Sequence, residues 1–324
     1  MPANDSHVNP PRPVAGRSLL TGAVVAVLLV LAACRPESGS PRDRPLVVAS
    51  FFPLYDFARE IAGTDAEVRC LVPPGASPHG EEATPGAARM VAEADLVILL
   101  GVGMDGWVSR LAGANGKTRV VEVHGGLATR SEAPGALEES AHGHAHPESG
   151  IDPHIWLDPV LAGEIVRRLA DELSLLVPGA KTRFHERAEA YRRQLRELDR
   201  DFRDAIEGCV RRRVVTFHGA FGYLFARYDL EVAGVIEPFP GVEPSAAYLR
   251  QLVDLMRQLK LNVIFAEPHL PDRPALIIAQ EIGGRVERLD PCETLLPDAP
   301  EATYLQRQRT NLATLKRVLC DNAP

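Results

Sequence analysis

From Leu46 onward the apolar positions fall into short runs separated by stretches with helical spacing. Leu46 to Ser50, Glu67 to Val72, Asp95 to Leu100 and Arg119 to Val123 read as strands, with helices at Tyr55 to Ile61, Gly86 to Ala94 and Trp107 to Leu111 between them. The same plan recurs in the second half. Arg213 to Phe217, Val232 to Ile236, Asn262 to Phe265 and Arg285 to Leu289 read as strands, and Gly219 to Tyr228, Pro244 to Lys260, Asp272 to Ile282 and Ala302 to Leu319 as helices. Strands that alternate with helices predict parallel sheets joined by right-handed crossovers. Between the two halves lies Ala180 to Glu207, which has no glycine or proline and is flanked by Gly179 and Gly208. Phe184, Ala188, Tyr191, Leu195, Leu198, Phe202 and Ile206 recur there at steps of three and four, so it reads as one helix with a single apolar face, ~42 Å long at 1.5 Å per residue. The predicted fold class is therefore α/β: two lobes, each a four-stranded parallel sheet flanked by helices, joined by one long rigid backbone helix.

The first residues read differently. Arg12 and Arg17 precede an apolar run from Leu19 to Ala33, which at about 15 residues is the length of a signal h-region and too short to prefer spanning a bilayer. The run ends in Leu31-Ala32-Ala33-Cys34, which resembles a bacterial lipobox with Cys34 as the lipidated residue. The expected organisation is a signal peptide at 1–33, a Pro- and Ser-rich tether at 34–45, a first lobe at 46–178, the linking helix at 179–208 and a second lobe at 209–324. About 290 residues after cleavage suit two domains better than one.

Net charge is −7, and loss of Arg12, Arg17 and Asp5 with the signal peptide takes it to −8. That balance argues against a nucleic-acid binder. It is compatible with a protein outside the cytoplasm that handles a cation.

Histidine carries most of the chemical signal. Of ten, His185 lies on the long helix, where a solvated or packing role is expected, and His7 lies in the signal peptide. His79 stands in a Pro/Gly-rich loop beyond the second strand. His154 stands in GIDPHIWLDP, where Asp158 and Pro159 form an N-cap and N1 pair for the next helix. His218 ends the strand RVVTF, and Asp290 ends the strand RVERL. In open α/β sheets ligands collect beyond the carboxyl ends of strands. Three imidazoles and a carboxylate drawn from two lobes make a tetrahedral site suited to Zn²⁺. His124 and His269 also follow strands and are weaker candidates, and Glu267 is a possible substitute oxygen donor.

PPGASPHGEEATP, DPHIWLDP, FHGAFGYLFARYDL, GVEPSAAYLRQL and IFAEPHLPDRPALIIAQEIGGRVERLDP resemble, in order, the motifs of the zinc/manganese solute-binding proteins of ABC transporters, the cluster A-I zinc-uptake lipoproteins. The resemblance covers Leu46 to Leu319. It implies a metal held between two lobes and delivered to an ABC permease with its cytoplasmic ATPase. Carried onto this chain, the family's ligands fall on His79, His154, His218 and Asp290. A histidine at the third position, here His218, marks zinc members, where manganese members tend to a carboxylate. Gly80 and Gly219 stand where family members often carry an acid, which leaves open what orients the imidazoles. The family's His-rich loop is present in short form as AHGHAHPES, with His142, His144 and His146 at alternate positions, expected to be a low-affinity zinc collector.

The expected function is reversible capture of Zn²⁺ without catalysis, by a monomer tethered to the membrane through a lipid anchor, in the periplasm or at the outer face of the cytoplasmic membrane. The alternatives are manganese or iron uptake on the same scaffold, and further off an adhesin or a zinc hydrolase. A hydrolase needs an open coordination position, and no HExxH or GxSxG occurs. Among the remaining cysteines the expected pair is Cys292 with Cys320, with Cys70 a buried thiol.

Overall fold

The structure, a computed structural model, describes residues 43–79, 83–115, 118–131, 150–238 and 243–320. The signal-peptide, Cys34 and His142/His144/His146 expectations lie outside the described residues.

The first sheet holds β1 (Leu46–Ala49), β2 (Glu67–Cys70), β3 (Leu96–Leu99) and β4 (Arg119–Glu122), all parallel in the order β2-β1-β3-β4. Every residue of the central strands β1 and β3 is buried, because α1 (Phe52–Ala62), α2 (Pro85–Glu93) and α3 (Gly106–Asn115) cross between the strands and cover them. The second sheet repeats the order with β5 (Arg213–Thr216), β6 (Glu231–Val235), β7 (Val263–Ala266) and β8 (Arg285–Arg288), arranged β6-β5-β7-β8. The lobes are thus topological copies, as the alternation of strands and helices predicts. Strand ends fall within one or two residues of the expected ones.

The long helix, α5 (Lys181–Glu207), buries the seven residues that its sequence period picks out. It is not a lone spine. Asp158 caps α4 (Pro159–Leu176) by accepting the N–H groups of Val160 and Leu161, and α4 returns along α5 after the turn at Val177–Ala180. At Gly163 of α4, a Cβ would stand 4.0 Å from Leu195 of α5, an ordinary packing distance. Arg187 of α5 also closes the end of α1 by donating to the carbonyls of Ile61 (3.1 Å) and Ala62 (2.9 Å). Gly63 is needed there, since a Cβ would come within 2.8 Å of the Arg187 guanidinium carbon at a left-handed φ of 55°.

The remaining helices of the second lobe are α6 (Gly222–Arg227), α7 (Ala246–Gln258), α8 (Arg273–Ile282) and α9 (Tyr304–Cys320). The disulfide corrects the sequence expectation: Cys320 pairs with Cys209, not with Cys292. Their Cα atoms lie 4.3 Å apart across 111 residues of sequence, so the bond ties the end of α9 to the second residue past α5. Cys292 is a free, fully buried thiol. Cys70 is also free, half-buried, and burial pushes its thiol up to about 12.

In the first lobe the switch point between β1 and β3 is already filled. Asp105 sits there, accepting from the Ser50 hydroxyl (2.7 Å) and from the N–H groups of Leu100 and Gly101. In the second lobe His218 follows β5 and Glu267 follows β7, on either side of the equivalent switch point.

Candidate metal centre

Four loops converge between the lobes. His79 comes from the loop after β2, and this loop is bound to the second lobe: the N–H of Gly75 donates to the Leu295 carbonyl (2.8 Å), and the Thr294 hydroxyl donates to the Pro73 carbonyl (3.4 Å). His154 comes from the turn before α4. Asp152 accepts both its backbone N–H (2.9 Å) and its Nδ1–H (2.7 Å), which directs Nε2 away from Asp152 and into the cleft. At Gly222 a Cβ would lie 2.5 Å from the second Asp152 oxygen, so only glycine fits beside that carboxylate. Trp156, two residues on, donates its indole N–H to the Pro291 carbonyl (2.8 Å) and links the motif to the chain after β8.

His218 is held in the same manner by a different carboxylate. Its Nδ1 lies 2.5 Å from Glu267 Oε1, and its Nε2 points at the other two imidazoles. The hydrogen bonds that orient His154 and His218 are therefore supplied by Asp152 and Glu267, not by the residues next in sequence to the histidines.

Sequence reasoning placed a carboxylate from the β8 loop as the fourth member, and the structure supplies one, but it is Glu293. Both oxygens of Asp290 are taken: Arg307 donates to them bidentately at 2.6 Å each, and the Cys292 N–H donates to one at 2.8 Å. Asn311 binds the Asp290 backbone at N–H and C=O (2.8 and 2.7 Å). Asp290 is thus an anchor for the turn that follows. Arg307 also donates to the Thr294 carbonyl (2.8 Å), and Cys292 adopts a left-handed φ of 54°, so the backbone folds back and aims Glu293 into the cleft.

The resulting cluster is His79, His154, His218 and Glu293, each offering one atom, all within 4.8 Å of one another. His154 Nε2 lies 3.2 Å from His79 Nε2 and 3.4 Å from His218 Nε2. Glu293 Oε2 lies 3.3 Å from His79 Nε2 and 3.8 Å from His218 Nε2. Four ligands at the usual ~2.0–2.1 Å of a tetrahedral zinc lie about 3.3–3.4 Å from each other, and the four separations of 3.2 to 3.8 Å bracket that value. Glu293 Oε2 is buried and accepts no hydrogen bond from the described residues. Converged imidazole lone pairs beside an unsatisfied carboxylate oxygen fit a cation, and three nitrogens with one oxygen fit a borderline-soft one.

Burial and the neighbouring carboxylates act differently on the members of the cluster. Burial lowers the His154 pKa against the opposing pull of Asp152, which keeps it a neutral donor. For His218 burial also acts downward, but the charges of Glu267 and Glu293 outweigh it and raise the pKa to about 9. Burial would raise Glu293, yet the neighbouring His79, His269 and His218 hold it well below the usual carboxylate range.

The other sequence candidates fall elsewhere. His124 Nδ1 lies 3.0 Å from the Leu100 carbonyl, and His185 approaches Ser174 and Asp171 on the α4 side of the long helix. Glu267 serves His218, and His269 contacts Glu293. Glu293 was missed because Asp290 ends the strand. The signal available was a second acid three residues on, in DPCET.

Three imidazoles and a carboxylate gathered between two α/β lobes, two side chains from each, define the class: a bilobal metal-binding protein. Residues 47–318 match the family model of the periplasmic zinc-uptake complex component A, and the chain belongs to that family. It is 30% identical over 315 residues to the zinc-binding lipoprotein AdcA of Streptococcus pneumoniae strain R6, which covers 95% of this chain and 62% of that relative. This chain thus spans about six-tenths of the AdcA length. Among solved structures, the laminin-binding protein Lmb of Streptococcus agalactiae, described as bifunctional with adhesin and metal-transporting activity, matches with a TM-score of 0.73 at 30% identity, covering 85% of this chain and 99% of that one. The Zn(II)-bound ZnuA-like domain of the S. pneumoniae AdcA matches with a TM-score of 0.72 at 28% identity, covering 86% and 100%.

Proposed function

We propose that this protein captures one Zn²⁺ between its lobes and hands it to an ABC permease driven by a cytoplasmic ATPase. His79, His154 and His218 would bind through Nε2 and Glu293 through Oε2. The observation that carries this reading is the spacing of those four atoms, 3.2 to 3.8 Å where measured. It supports zinc over manganese, which favours more oxygen donors in an octahedral shell. With Glu293 as the fourth ligand, the open site of a zinc hydrolase would not arise by loss of Asp290. Membership of a zinc-uptake family and likeness to a Zn(II)-bound domain support the same assignment.

The zinc would be held until release in a first-lobe/second-lobe shell whose His79 loop is tied across the cleft by two hydrogen bonds, the Gly75 N–H to the Leu295 carbonyl and the Thr294 hydroxyl to the Pro73 carbonyl. Opening requires those links to part together with the ligands. Cargo transfer to the permease therefore couples to movement of the His79 loop rather than to bending of α5. The chain works as a monomer outside the cytoplasm, with 1–33 removed, Cys34 lipidated, 34–45 as tether, and lobes at 46–178 and 209–324 joined by 179–208. No helix of the described residues is long and apolar enough to cross a membrane.

Likeness to Lmb favours a second reading, adhesion beside transport. Growth separates them. A host lacking this protein should fail in zinc-depleted medium, be rescued by the wild-type gene and by added zinc, and not be rescued by His154→Ala. Rescue by His154→Ala would refute zinc delivery as its role.

A further inference from the structure

Glu293 has two oxygens, and Oε2 is the one that faces His79 and His218. The other, Oε1, lies 2.8 Å from Nε2 of His269, whose side chain is 2% exposed and which comes from the connection between β7 and α8. Glu267 Oε2 stands 3.9 Å from the same Nε2 and accepts no hydrogen bond from the described residues. His269 is therefore wedged between the carboxylate that faces the metal and the carboxylate that orients His218. Glu267, His269 and Glu293 also bring three donor atoms within 4.8 Å of one another, as a second cation site would. The 2.8 Å separation decides against that use. Two donors on one zinc lie about 3.3 Å apart, whereas 2.8 Å is the length of a charge-assisted N–H···O bond.

We propose that His269 is a positioning residue that ties down Glu293 Oε1, limits Glu293 to one donor atom, and thereby makes the site select zinc over manganese. The inference rests on the zinc-site reading above. With Oε1 held, Glu293 completes a four-coordinate shell through Oε2. A metal that prefers a larger, oxygen-rich shell gains most from a bidentate carboxylate, and here it must break the His269 bond to obtain one. Outer partners of this kind alter metal affinity by about 10- to 100-fold when removed. Sequence gave no hint of this role, because His269 and Glu293 are 24 residues apart and meet only across the ends of β7 and β8.

The test is Zn²⁺/Mn²⁺ competition on the full chain for wild type, His269→Gln and His269→Asn. Gln places an N–H donor near the reach of the imidazole, and Asn is one methylene short. The zinc-to-manganese affinity ratio should fall about 10- to 100-fold in His269→Asn and return to within a few-fold of wild type in His269→Gln. X-ray absorption of the zinc-loaded proteins should show four ligands in wild type and Gln, and an added oxygen in Asn. An unchanged ratio in Asn, an equal loss for both metals, failure of Gln to restore the ratio, or a second tight zinc on wild type, beyond any weak binding by the histidines at 142, 144 and 146, would each overturn the proposal. Loss of zinc binding by wild type itself would instead sink the underlying site.

Discussion

Zinc binding should depend steeply on pH above neutrality because of one residue. In the metal-free protein Glu267 and Glu293 raise His218 to about 9, so at pH 7 it carries a proton on both nitrogens. The Nδ1 proton serves Glu267, and the Nε2 proton occupies the lone pair that zinc needs. About one molecule in a hundred has a neutral His218 at pH 7, which lowers apparent zinc affinity ~100-fold relative to pH above 9, or about 3 kcal/mol. Affinity should therefore rise ~10-fold per pH unit from 6.5 to about 8, with about one proton released per zinc, and level off as pH passes 9. His154 adds nothing in that window, since burial lowers its pKa and leaves it neutral. The folding linkage has the opposite sense. A pKa raised from 6.5 stabilises the metal-free fold most fully at low pH, and that stability disappears as pH rises through about 9. Calorimetry in buffers of different ionisation enthalpy counts the protons, and chelator competition at pH 6.5, 7.5 and 8.5 gives the slope. In Glu267→Gln the slope above pH 7 should flatten. Equal affinity at pH 7 and 9 in wild type, with no proton released, would refute this account of His218.

Three further outcomes follow from the same geometry. Glu293→Gln should keep the melting midpoint of the zinc-free protein near that of wild type and weaken zinc at least 10-fold, read by chelator competition. Asp290→Asn leaves Arg307 buried without its charge partner, so urea denaturation should show a loss of about 3–5 kcal/mol, with any loss of zinc affinity secondary to the displaced 290–294 turn. Reversed roles for Glu293 and Asp290 would restore Asp290 as the ligand. Reduction of Cys209–Cys320, or Cys209→Ser with Cys320→Ser, opens a loop of 111 residues and should cost about 4–5 kcal/mol in the chain-entropy view, measured as a lower urea midpoint.

Much of this was legible in the chain before folding. The period of α5 named its seven buried residues because a helix on a core shows a 3.6-residue stripe, and the strand and helix alternation gave both sheets. His79, His154 and His218 were legible because rigid Pro/Gly-rich or strand-end positions bring imidazoles to the one place where α/β sheets collect ligands. What was not legible depends on contacts distant in sequence. Asp290 looks like a ligand until Arg307, a helix away, takes both its oxygens. Glu293 becomes visible only after the left-handed turn at Cys292 is known. Cys320 had Cys292 as its near neighbour in sequence, yet packing of α9 against the end of α5 gave it Cys209. Asp152 lies only two residues before His154, yet its role as the support of that imidazole shows only in the folded turn.

The central claim is a single zinc held by three imidazoles and Glu293. Its most direct test is metal content: strip the purified protein with chelator, offer equimolar Zn²⁺ and Mn²⁺, and count what stays bound to wild type, His218→Ala, Glu293→Ala and Asp290→Ala. Beyond any weak binding by the histidines at 142, 144 and 146, wild type should retain one tight zinc. That zinc should be lost in His218→Ala, weakened in Glu293→Ala and kept by whatever fraction of Asp290→Ala remains folded. Retention of manganese, or a tight zinc that survives in His218→Ala, would contradict the account.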